Sequence, residues 1–192
     1  TEMKKKHKKY ISHNTPELLF LKGDDDNSYK YSEIPLKIDE IKGEDYDVVI
    51  ISDYNKGYLD EKTILSLCSK FKDCKIFVDT KRKNLSSFQN CIIKINEIES
   101  GSIIHKNKSV ELITTLGAKG CNYLNKNYPV EKVDVHDVCG AGDVFLAALA
   151  VRWIETKDII KSIKTANKCA SLSVTKLGCY TVTRGEYENL CV

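Results

Sequence analysis

With 192 residues, 42% of them hydrophobic and 30% charged, the chain carries enough apolar material for one domain with a real core. A net charge of +3 gives no ground for nucleic-acid binding across the whole surface, and the longest apolar stretch, VFLAALAV, is far too short to span a bilayer. The eight cysteines include no C-x-x-C pair and stand out of register with the four histidines, which argues for reduced, mostly buried thiols in a cytoplasmic protein rather than for disulfides or zinc.

The first 31 residues read as short strands and turns: KKYIS, a turn at 14–16, ELLFL, and an acidic turn at 23–27. The basic run at 4–9 (KKKHKK) reads as a solvated strand or arm; an anion-binding patch is the alternative, and no aromatic interleaving supports it. Isoleucines at 34, 38 and 41, with Ser32 as a cap and Gly43 as a stop, predict a short helix. DVVIIS (47–52) is a continuous β-branched run of the kind buried on both faces of a sheet. A helix follows at 60–71, then strands at 75–79, 91–95, 110–116 and 122–124, with a further strand end near 133–136. The last third is helical, at 143–155 and at 158–178, the second helix ending at Gly178. Strands alternating with helices imply βαβ units and a largely parallel sheet covered on both faces. No internal repeat, low-complexity linker or internal domain boundary is visible.

In open α/β sheets ligands bind at the carboxyl ends of strands. Those ends here carry Asp53-Tyr54-Asn55-Lys56-Gly57, Thr80-Lys81-Arg82-Lys83, Asn96-Glu97-Ile98-Glu99, Leu116-Gly117-Ala118-Lys119-Gly120 and Asp137 to Asp143. Carboxylates, lysines, amides and glycines of this kind suit phosphate, metal and polyol handling. Gly140-Ala141-Gly142-Asp143 would present first-turn amides to an anion and a carboxylate to a substrate hydroxyl. The same residues also suit an ordinary buried helix start, and taken alone they leave the two readings balanced. Phe145 replaces the third glycine of G-x-G-x-x-G, and no Gly-Lys-Ser/Thr follows as in a P-loop.

Taken together, four ordered stretches resemble the ribokinase-like (PfkB-type) carbohydrate kinases. DVCGAGDVFLAALA is similar to that family's D-T-x-G-A-G-D motif, with Val138 in place of Thr. Asn96-Glu97-Ile98-Glu99 resembles its N-x-x-E, Thr115 to Gly120 its T-x-G-x-x-G nucleotide loop, and Ala166-Asn167-Lys168-Cys169-Ala170 its A-N-x-x-A helix. A narrower likeness, to bacterial D-glycero-β-D-manno-heptose-7-phosphate kinases, rests on VVIISDYNKGYL, on FVDTKRKNLSSFQNCIIKINEIE (Thr80 where Pro is usual) and on SVTKLGCYTVTRGEYENL.

The resemblance implies a ribokinase-like three-layer α/β/α fold with a mostly parallel sheet, truncated at the N-terminus. Residues 1–32 would be a remnant of the lid and β region, and 33–192 the nucleotide-binding and catalytic domain. It implies ATP-dependent phosphorylation of a sugar phosphate, with heptose 7-phosphate at its 1-hydroxyl as the favoured substrate. Another sugar, or a nucleotide-binding remnant acting as scaffold, is the alternative. Asp143 would be the catalytic base, and the amides of Gly140, Ala141 and Gly142 the anion hole. Asn96 and Glu99 would order Mg²⁺ and the phosphates, Glu99 through water. Thr115, Gly117, Gly120 and Asn167 would line the nucleotide site, Lys81 would contact phosphate, and Asp53, Tyr54 and Lys56 would shape the sugar-phosphate side. ATP and Mg²⁺, with room for a monovalent cation, are the implied cofactors. Nucleotide and sugar phosphate are the implied partners, with neither nucleic acid nor membrane, and pairing through lids would give a homodimer.

Overall fold

The computed structural model describes residues 18–23, 38, 41 and 46–191. The basic run, KKYIS, the turn at 14–16, the acidic turn after Gly23 and nearly all of the helix expected at 33–43 lie outside the described residues. The chain divides into two compact units, Thr1–Leu112 and Ile113–Val192. No Pro-, Gly- or Ser-rich linker marks the division, which falls inside a strand.

The first unit is built on parallel strands. Strand β1 (Leu18–Gly23) pairs with β2 (Val48–Asp53), β2 with β3 (Lys75–Thr80), and β3 with β5 (Cys91–Asn96), all parallel, in the register Leu18↔Val48, Val48↔Lys75 and Ile76↔Cys91. A minor parallel pair joins β4 (Asn84–Leu85) to β6 (His105–Lys106). Val48, Val49, Ile50 and Ile51 are all fully buried, as a β-branched run with no polar alternation requires. Each such side chain contributes about 1.5–3 kcal/mol when removed from water. Helix α1 (Glu61–Lys70) starts where the Asp60 carboxylate accepts the Thr63 amide at 2.7 Å. Its Ile64, Leu67 and Cys68, with Phe71 just beyond, cover the sheet's core cluster. Between β3 and β5, Asp79 and Lys94 stand opposite each other, and Lys94 Nζ donates to Asp79 Oδ2 at 2.6 Å.

In the second unit, β7 (Glu111–Thr115), β8 (Cys121–Tyr123) and β9 (Lys126–Tyr128) form an antiparallel meander. Three helices follow: α3 (Ala141–Thr156), α4 (Ile159–Ser173) and α5 (Arg184–Leu190). The turn between α3 and α4 is short because Lys157, at φ 50°, closes α3 through its amide to Trp153 O. Asp158 then caps α4 by accepting the Ile160 and Lys161 amides. Thr183 and Glu186 cap α5 reciprocally.

Two expectations fail here. The second long helix stops at Ser173, well before Gly178. In a continued helix the Gly178 amide would donate to Val174 O. Instead the Val174 carbonyl accepts the His136 and Asp137 amides at 2.8 and 3.2 Å, and the Gly178 amide donates to Asp137 Oδ2 at 3.0 Å. No strand forms near 133–136 either: the His136 amide is taken by Val174 O at the end of α4 rather than by a β ladder. The cysteines also divide more evenly than expected. Cys68, Cys91, Cys121 and Cys169 are buried, Cys74 and Cys191 are intermediate, and Cys139 and Cys179 are exposed. Among the described residues no helix is long and apolar enough to cross a membrane.

Candidate nucleotide and phosphate site

The second unit encloses a cavity of about 410 Å³, of the size that holds a small-molecule ligand. Thr115 at the end of β7, Gly117 and Gly120 in the turn after it, Ala141 and Gly142 in the first turn of α3, and Asn167 in α4 all line it. Three separate motifs thus meet at one hollow. The remaining wall is largely aliphatic, with Val133, Val138 and Val174 joined by Phe145, so a flat apolar group fits better than a charged one. Gly140 and Asp143 flank the cavity without lining it.

The turn after β7 is closed by the Leu116 amide donating to Gly120 O at 2.8 Å. Gly120 (φ 86°, ψ −128°) lies against the meander so closely that a Cβ there would be 2.1 Å from Tyr128 O. The same Tyr128 carbonyl accepts Asn167 Nδ2 at 2.9 Å, in a place where Asn167 is only 5% exposed. Asn167 also bonds the buried Cys121 thiol, pulling it down against the burial that pushes it up to about 11. Asn167 is therefore a tie between α4 and β9 as well as part of the cavity wall. Asn167→Ala should lower stability by about 0.5–1.5 kcal/mol, because it removes a buried hydrogen bond to the Tyr128 carbonyl. Urea unfolding checks this: the midpoint should fall with the slope unchanged.

Helix α3 begins on Gly140, in the left-handed region at φ 75°, and no side chain caps it. The Ala141 amide is engaged by Val138 O at 3.2 Å, so Ala141 is the least available of the three expected anion-hole donors. Asp143 sits in the exposed first turn, and among the described residues no hydrogen bond or ion pair holds its carboxylate. Asp137, a residue the sequence reading gave no role, bridges two loops: Oδ1 accepts the Cys139 amide at 2.8 Å and Oδ2 accepts the Gly178 amide. Its one signal in the sequence was its place as the first residue of the DVCGAGD stretch.

In the first unit, Asn96 and Glu99 meet as a capping box for the short helix α2 (Glu97–Gly101). Asn96 Oδ1 accepts the Glu99 amide and Glu99 Oε2 accepts the Asn96 amide, both at 2.8 Å. Lys81 Nζ donates to the other oxygen, Glu99 Oε1. Burial pulls the Lys81 ammonium down, but the Glu99 hydrogen bond and the charges of Asp79, Glu99 and Tyr54 outweigh it and hold it above its ordinary value. Asp53, 4% exposed, is enclosed by its own chain: Arg82 Nε donates to it at 2.5 Å, Thr80 Oγ1 at 3.1 Å and the Asn55 amide at 2.9 Å. Arg82 also reaches Leu59 O. Asp53 is thus a structural hub with its oxygens engaged, whereas Tyr54 is half-buried and Lys56 exposed at the same strand end. Among the described residues no group of three His, Cys, Asp or Glu side chains could hold a metal directly.

The fold is that of the ribokinase-like α/β proteins. A ribokinase from Thermotoga maritima superposes with a TM-score of 0.60 at 23% identity, over 79% of this chain and 60% of that one. Phosphofructokinase-2 from Escherichia coli, in complex with potassium, gives 0.63 at 15% identity over 75% and 56%. Residues 93–184 match the pfkB family of carbohydrate kinases. The chain's curated relatives include the bifunctional protein HldE of Campylobacter curvus, 32% identical over 83% of this chain and 39% of the relative. The HldE of Helicobacter pylori is also 32% identical, over 74% and 35%. The chain therefore spans well under half the length of these curated relatives.

Proposed function

We propose that this chain provides the nucleotide site and catalytic base of an ATP-dependent cytoplasmic kinase acting on D-glycero-D-manno-heptose 7-phosphate. The product would be the 1,7-bisphosphate, a precursor of ADP-heptose for the lipopolysaccharide core. The observation that carries the reading is the meeting of Thr115, Gly117, Gly120, Ala141, Gly142 and Asn167 around one largely aliphatic cavity. An adenine-sized apolar group suits that wall, and the uncapped start of α3 offers amides and a positive dipole end to the phosphates. Asp143 then accepts the proton of the attacking hydroxyl, and the Gly140 and Gly142 amides receive charge on the transferred group.

The family implies Mg²⁺, and the donor set fits it only through water. Both Glu99 oxygens already hold one partner each, and each retains a lone pair for a metal-bound water, the kind of ligand Mg²⁺ keeps. Mg²⁺ would supply charge neutralisation between the phosphates. Lys81 fits as the group that orients Glu99, and its ammonium keeps two further donors that a phosphate could take. Tyr54 and Lys56 remain the candidates for the sugar-phosphate side, and residues 1–32 the candidate lid remnant. The heptose assignment is supported by the SDYNKGYL and SVTKLG stretches and by the HldE relatives.

A coupled ADP-release assay over heptose 7-phosphate, ribose, fructose and fructose 6-phosphate tests the reading. Turnover with the heptose phosphate at least tenfold above the others is the expected result. Preference for another sugar overturns the substrate, and nucleotide binding with no ADP release from any of them leaves a scaffold rather than a kinase.

A further inference from the structure

The two exposed cysteines stand together. Cys139 Sγ and Cys179 Sγ are 2.8 Å apart, although 40 positions separate them in the chain. Cys139 immediately precedes the Gly140 that opens α3. Cys179 packs against that same glycine, its Sγ lying 3.5 Å from where a Gly140 Cβ would be. Asp137 already ties the two loops by accepting the amides of Cys139 and Gly178, one on each oxygen. Both thiols are therefore prepositioned by backbone hydrogen bonds, and a disulfide at about 2.05 Å needs only a small approach of the two sulfurs. The other six cysteines are buried or half-buried, and burial pushes the Cys121 and Cys169 thiols up to about 11.

We propose that Cys139 and Cys179 are a modification site, a dithiol that closes reversibly to a disulfide and clamps the start of α3 to the loop after α4. The oxidant is a small uncharged disulfide, RSSR. One cysteine thiolate attacks RSSR, forming a mixed disulfide and releasing RS⁻. The second cysteine gives up its proton and attacks the first cysteine's sulfur, expelling the other RS⁻. The two protein thiols lose two electrons and two protons, and RSSR becomes two RSH. The hydrogen bond with Cys179, and then the nearby Asp137 and Asp143 carboxylates, raise the Cys139 thiol, so thiolate attack is slow and an anionic disulfide would be repelled. The bond itself does not depend on the kinase reading; only its effect on phosphoryl transfer would.

The test is incubation of the chain with excess bis(2-hydroxyethyl) disulfide, followed by alkylation under denaturing conditions and peptide mass mapping. A cross-link joining the peptides of Cys139 and Cys179, reversed by dithiothreitol, is expected. Cys179→Ser should instead leave Cys139 as a stable hydroxyethyl mixed disulfide. Unlinked adducts on both cysteines of the unaltered chain, or cross-links between other cysteines, overturn the proposal. Amide hydrogen exchange reads the clamp separately: the amides of residues 140–143 should exchange at least tenfold more slowly after oxidation. Unchanged exchange in the cross-linked chain would sink the clamping role while leaving the disulfide established.

Discussion

Asp143→Asn should lower the rate of phosphoryl transfer by about 10³-fold, the middle of the range a positioned general base supplies. Nucleotide affinity should stay within about twofold. The substitution is nearly isosteric and sits in the exposed first turn of α3, outside the cavity lining, so it removes proton acceptance without disturbing the walls. The lost carboxylate also complements the helix dipole, an effect worth only about 0.3–1 kcal/mol and visible in unfolding rather than in turnover. Single-turnover kinetics with heptose 7-phosphate, beside ADP titration by calorimetry, separates these effects. Retained transfer would remove Asp143 from the role of base. Weakened ADP binding with normal transfer would mark it instead as part of the nucleotide site.

The strands and helices were legible where burial and period coincide. DVVIIS, KIFVD and CIIKI are apolar runs that can only be satisfied inside a sheet, and each became a parallel strand within a residue of its expected bounds. That Thr115, Gly117, Gly120 and Asn167 would share one cavity was legible because they stand in recognisable motifs at recognisable spacings. The end of α4 was not, because what stops it is a carbonyl claimed by residues almost forty positions earlier. No local pattern at 174–178 records that. Asn96 and Glu99 show the opposite problem: their spacing carries two meanings. N-x-x-E is a family motif and equally a capping box, and the structure satisfies the second with both oxygens of Glu99 already engaged. Thr183 to Glu186 carries the same signature and caps α5, a helix that was not among the expected elements. Asp53 and Arg82 were legible as charged residues at strand ends, but their mutual pairing depends on the β2–β3 register, which a single sequence does not expose.

Gly120→Ala should cost about 3–5 kcal/mol of stability, a large part of the 5–15 kcal/mol a domain holds. Its backbone lies in a region essentially reserved for glycine, which alone costs about 1–3 kcal/mol for any other residue. The added Cβ would also stand 2.1 Å from Tyr128 O and 3.0 Å from the Cα of Pro129, both backbone atoms that cannot swing away. Moving Tyr128 O would strain its bond from the buried Asn167, so the damage reaches α4. Gly117→Ala is the control. Its φ is also positive, at 57°, but no atom lies within 4 Å of the added Cβ, so only the left-handed backbone cost of about 1–2 kcal/mol applies. Guanidinium unfolding should rank the two in that order. If both cost the same, Gly120 is in the loop for ligand approach alone. If Gly120→Ala is several times worse, the second glycine of the T-x-G-x-x-G loop is there to let a strand pass, whereas Gly117 answers only to its positive φ.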